Sequence, residues 1–107
     1  MTNFMQMMQK AQVVKQKMQE MQTRVQAMSI AGVAGAGLVT CQINGRFEVL
    51  SLKIDPSVVN PNDKQVMEDL IVAALNDARN KAEKVMTGET EKVMLDAGLP
   101  PGLGLPF

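Results

Sequence analysis

Among its 107 residues the chain has no histidine, no tryptophan, no tyrosine and a single cysteine. The first absence removes the side chain most used for acid–base work and metal ligation. The next two leave phenylalanine as the only aromatic that could stack on a base. Cys41 alone forms no internal disulfide and suits a reducing cytosol. No apolar run is long enough to be read as a membrane span. Paired carboxylates, metal-ligand spacings and a nucleophile beside a base do not form any recognisable constellation, which argues against an enzyme, a cofactor or a small-molecule substrate. Glycine occupies three of the eight positions Ile30–Gly37, too many for a stable helix. No Lys-Ser/Thr pair follows it and the spacing is not that of a dinucleotide fold, so a phosphate-cradling role is set aside. A flexible connection or an irregular edge strand is expected there.

What the chain does have is a long opening helix. Phe4, Met7, Ala11, Val14, Met18, Met21, Val25 and Met28 recur at 3–4 spacing, the seam of a coiled-coil-like helix over residues 1–28. With Phe4 at position a, Lys10, Lys17 and Arg24 all fall at position g and form a basic stripe. At roughly 40 Å such a helix is longer than a domain of this size is wide. Part of the seam would be bare in a monomer, so a homodimer is expected. Net charge is zero but polarised: residues 1–28 carry +3 and residues 61–107 carry −3. An anion is expected at the first helix, bound in a salt-sensitive way.

Residues 38–54 read as a β-hairpin. Asn44-Gly45 is a strong two-residue turn signal, and it pairs Ile43 with Arg46, Cys41 with Glu48 and Val39 with Leu50. One face then shows Val39, Cys41, Ile43, Leu50, Leu52 and Ile54, which buries Cys41 as a small hydrophobe. Asn60-Pro61-Asn62-Asp63 offers a helix start, with Pro61 at the first helical position. The ridge beyond runs Val66, Leu70, Ala74, Ala78, Ala82, Met86, widened early by Met67, Ile71 and Leu75. The broad half is expected on the sheet and the alanine half against another helix. Gly88 is expected to stop this helix, with a short one over Glu89–Ala97 and an extended Pro/Gly tail over 98–107. The chain is thus read as one α+β domain: arm 1–28, glycine-rich segment and sheet 30–55, helical region 61–97, tail 98–107.

Gly35-Ala36-Gly37-Leu38-Val39, Ile43-Asn44-Gly45 and Leu52-Lys53-Ile54-Asp55-Pro56-Ser57 closely resemble the central stretch of the YbaB/EbfC family of nucleoid-associated proteins. Glu68 through Ala78, the Leu-Pro-Pro-Gly tail ending Leu105-Pro106-Phe107 and the Gln- and Met-rich opening extend the resemblance over nearly the whole chain. It implies a bacterial cytoplasmic, nucleoid-associated homodimer whose helices project from an α+β core like tweezers. It further implies non-enzymatic binding of double-stranded DNA.

The charges nominate the contacts, because phosphates need Lys or Arg that no acid has neutralised. Lys10, Lys15, Lys17 and Lys84 rank first. Arg24 follows, with Glu20 four residues before it, and so does Lys81, with Asp77 four before it. Arg79, four before Glu83, and Lys92, set between acids, rank lower. Phe4, Met7, Val14, Met18, Met21 and Val25 form the dimer or helix seam. A coiled-coil or chaperone-like clamp for another protein, using the Met-rich seam, is the alternative. Salt separates the two, since phosphate contact weakens steeply with salt and an apolar grasp does not. Membrane-surface binding is disfavoured, because the narrow seam lacks bulky interfacial anchors.

Overall fold

Two apolar ridges of helical period become two helices, and the glycine-rich and Asn-Gly segments between them become a sheet. The computed structural model describes residues 2–98. They run α1 (Thr2–Gln26), β1 (Ile30–Ala34), β2 (Val39–Ile43), β3 (Val49–Ile54), two single-turn 3-10 helices (Pro56–Val58 and Pro61–Asp63) and α2 (Lys64–Asp96). The expected tail lies outside the described residues from Leu99 onward. The molecule is an elongated α+β fold, 72 Å by 22 Å by 17 Å.

The sheet is antiparallel in the order β1-β2-β3. The glycine-rich segment is therefore an edge strand, and its glycine has a packing reason. A Cβ on Gly32 would meet the Ala74 carbonyl oxygen and sit 2.6 Å from the Ala78 Cβ. α2 lies directly on β1 and also covers β2. Val39, Cys41 and Ile43 are buried with Ile30 beneath Ala74, Ala78 and Ala82. The alanine half of α2 thus approaches a strand closely, where another helix was expected; the missing Cβ of Gly32 makes that possible. Leu70, Ile71 and Leu75, from the broad half, reach the same core but stay half-buried.

The hairpin differs from the expected one. Val39 pairs with Ile54, Thr40 with Lys53, Cys41 with Leu52, Gln42 with Ser51 and Ile43 with Val49, with a bulge between the last two pairs. A type I′ turn needs positive φ at both central residues, yet neither Asn44 nor Gly45 has it; Phe47 does, at φ 64°. The loop is three residues, Gly45-Arg46-Phe47, closed by the Asn44 N–H donating to the Glu48 carbonyl at 3.0 Å. The Asn44 side-chain oxygen accepts from the Arg46 N–H at 2.9 Å and the Glu48 N–H at 3.0 Å. Gly45 is needed for close approach, since a Cβ there would collide with the Val25 backbone. Its N–H donates to the Val25 carbonyl at 3.1 Å, which ties the loop to the end of α1.

α2 does not stop at Gly88, and no separate helix follows; it is one helix of 33 residues. A mid-helix glycine costs about 1 kcal/mol. Continuing buries Val93 and Met94, each worth roughly 1.5–3 kcal/mol, so continuation wins. Its start matches the expected signal: Pro61 opens the 3-10 turn leading into it, and the Asn60 side chain accepts from the Asn62 N–H at 3.0 Å.

Candidate nucleic-acid interface

α1 divides at its middle. Met18, Met21 and Val25 are buried against Val85, Met86 and Val93 of α2, and Val14 is buried with them. Phe4 and Met7, on the same seam, are 66% and 68% exposed. The first part of the arm therefore stands clear of the rest of the chain. It carries Lys10 and leads to Lys15 and Lys17.

Tertiary packing changes the electrostatic ranking of these cations. The basic g stripe lies along a groove that α1 makes with the last turns of α2. Lys17 and Arg24 line it together with Glu20, Glu89 and Asp96, and Lys10 borders its extension beside Asp96. Arg24 donates to Glu89 Oε2 at 2.6 Å, so its partner is 65 residues away and not the expected Glu20. Lys92 also approaches Glu89, at 3.6 Å. The Arg24 hydrogen bond, helped by the charge of Lys92, holds the Glu89 carboxyl below its ordinary range. Lys15 sits at position e, on the opposite flank of the seam, and is exposed. Among the described residues, neither Lys10, Lys15, Lys17 nor Lys84 forms an ion pair within 4.0 Å.

The cations on α2 are placed elsewhere. Lys81 pairs with Asp77 at 2.8 Å, and Arg79 with Glu83 at 3.3 Å, as their i,i+4 spacing indicates. Lys81 also donates to the Ala31 carbonyl of β1 at 3.2 Å. Asp77 accepts the Val33 N–H at 2.9 Å. The Lys81 hydrogen bond, then that of Val33, holds Asp77 below its ordinary value. These two residues close the edge of β1, a duty no local spacing announces. Lys84 lies on another part of α2, near Glu83 and Glu91. The six nominated cations therefore fall in two places: Lys10, Lys15, Lys17 and Arg24 on α1, and Lys81 and Lys84 on α2.

The arrangement is one for binding and holds no reactive constellation among the described residues: no group of three or more potential metal ligands occurs there. No described helix is long and apolar enough to cross a membrane. A small three-stranded sheet under one long helix, with a cationic helical arm, is the frame of a DNA-binding family. Residues 1–98 match the model of the YbaB/EbfC DNA-binding family, and the chain belongs to it. It is 42% identical to a nucleoid-associated protein of Rhizobium meliloti over 107 residues, all of both chains. It is 46% identical to one of Paramagnetospirillum magneticum, again over the full length of both. The fold resembles the crystal structure of an uncharacterized protein from Helicobacter pylori, with a TM-score of 0.59 and 27% identity over 66% of this chain and 74% of that one.

Proposed function

We propose that the chain is a non-enzymatic, homodimeric, nucleoid-associated protein of the bacterial cytoplasm that grips duplex DNA by its phosphates. α1 is the gripping element. The observation that carries this reading is the charge of α1, +3 over residues 1–28 in a chain whose remainder is balanced or acidic. Lys15 leads, because its flank of the helix faces no acid of α2. Lys10 and Lys17 follow, softened by Asp96 and by Glu20 and Glu89. Lys81 ranks last, since it already holds Asp77 and Ala31. Phosphate contacts position a protein without reading sequence, so any role in nucleoid organisation or gene regulation would come from arm spacing and DNA shape.

Fluorescence anisotropy of a labelled duplex across a salt series tests this. Two arms offering three lysines each give a log–log salt slope of about −5, and about a thousandfold loss between 50 and 200 mM salt. A Lys10/Lys15/Lys17→Glu variant that stays folded should not bind. Equal binding by both proteins would move the contact to Lys84 and its neighbours. A second reading, a clamp for another protein, draws on the bare methionines: Met5, Met7 and Met8 are all exposed beside Phe4. It takes over if the wild type fails to bind DNA even at low salt.

A further inference from the structure

The sheet has two edges, and only one is closed. On β1, Asp77 takes the Val33 N–H and Lys81 takes the Ala31 carbonyl. Among the described residues, no side chain does the same for β3. Five of its six residues are exposed and the sixth, Ile54, is half-buried. Val49, Leu50 and Leu52 stand 55%, 56% and 43% exposed. α2 lies on β1 and β2 and leaves this strand uncovered. Edge strands of monomers are ordinarily blunted by proline, by charge or by a covering element. Between Val49 and Ile54 the only charge is Lys53, and there is no proline.

We infer that β3 is the joint between two copies of this chain, which pair antiparallel there into one six-stranded sheet. The inference rests on the homodimer reading above and names its surface. The strand is complementary to itself. Residues opposite one another across an antiparallel pair share a face, and a two-fold axis preserves faces, so one residue must lie opposite its own copy. Centring on Ser51 sets that small residue at the axis. Leu50 then meets the partner subunit's Leu52, twice over, and Lys53 meets Val49 rather than a second lysine. The leucines gather on the face that α2 leaves open, where two copies of α2 then form the walls.

Phe47 belongs to this joint. It stands next to β3 at the end of the loop, 46% exposed and at φ 64°, a conformation that glycine adopts freely and phenylalanine resists. A strained and exposed aromatic ring gains nothing from its own protomer that would hold it there. Packing against the second copy supplies the reason.

Sedimentation of the full chain over a concentration series tests the joint, with Leu52→Lys, Met7→Lys and Ser51→Cys alongside. The expected result is a wild-type dimer, a Leu52→Lys monomer with unchanged helix content, and a Met7→Lys dimer. Ser51→Cys should form an intermolecular disulfide on mild oxidation, because opposed Cα atoms in such a pair lie within bridging range. A dimeric Leu52→Lys protein overturns the joint and leaves the homodimer standing. A dimer lost only in Met7→Lys places it on α1. A monomeric wild type overturns both readings. Phe47→Gly separates the roles of the ring: in the Leu52→Lys monomer it should raise the melting temperature, and in the wild-type background it should weaken dimerisation about tenfold. Unchanged dimer affinity would remove Phe47 from the joint.

Discussion

The two edge strands, β1 and β3, are close in length and both are apolar, yet they are treated oppositely. β1 contains glycine, which lets α2 lie on its backbone, and the same helix turns Asp77 and Lys81 onto its outer N–H and carbonyl. β3 has larger side chains, no helix above it and no side chain on its backbone. Closing an edge here is the work of a neighbouring helix that carries an acceptor and a donor four residues apart. Where the helix does not reach, the edge is left to another molecule.

The largest blow to this contrast is Gly32→Val. The added side chain would be driven into the Ala74 carbonyl and Ala78, forcing α2 off β1, and should lower stability by about 3 kcal/mol in urea unfolding. Covered and open surface can be compared along α1 as well. Met21→Ala should cost about 2–3 kcal/mol, while Met7→Ala should stay within about 0.5. Equal effects would mean that the first half of the arm is as packed as the second. Asp77→Ala acts more locally. The Val33 amide should lose hydrogen-exchange protection and β1 should become an open edge, while the β2–β3 pairing keeps its protection.

The smallest effect is that of acid. A carboxyl whose folded pKa is depressed contributes stability in full above its unfolded value and loses it as pH falls through the folded one. Asp77, depressed by Lys81 and Val33, should therefore hold the Val33 amide at about pH 5 and release it only below the ordinary value of 3.8. Glu89 should hold Arg24 over a similar range, from an ordinary value of 4.5 downward. Protection lost well above these values would show that the edge is closed by something other than the carboxylate.

Much of the fold was legible because it follows from period and spacing. The seam of α1, the ridge of α2, the Asn60-Pro61 start and the pairs Asp77–Lys81 and Arg79–Glu83 are all local. The hairpin shows where this fails and why the failure was mild. Val39 was set against Leu50 and in fact faces Ile54, a slip of four residues. An even slip leaves every side chain on its own face, so Val39, Cys41 and Ile43 were still assigned to the core. The turn itself was misread because its positive φ fell on Phe47, a residue whose own preferences oppose it. Leu50 and Leu52 were expected beneath a helix, and how far α2 extends over a sheet is a tertiary fact. The partner of Arg24 was hidden for the same reason. Glu89 is remote in sequence, and only the antiparallel packing of two helices brings it near. The charge of the arm could be read from composition, but its two flanks could not be told apart until the acids of α2 were in place.

The loop after β2 joins the two halves of this story. Gly45 is hydrogen-bonded to the last turn of α1, and four residues later the same chain becomes β3. The root of the arm and the start of the open edge are thus one short piece of backbone with little slack between them. Binding at one must then be felt at the other, and the coupling runs equally in both directions. A second copy seated on β3 would narrow the angles open to the arm, and a ligand held by the arm would tighten the grip of the two copies by the same factor.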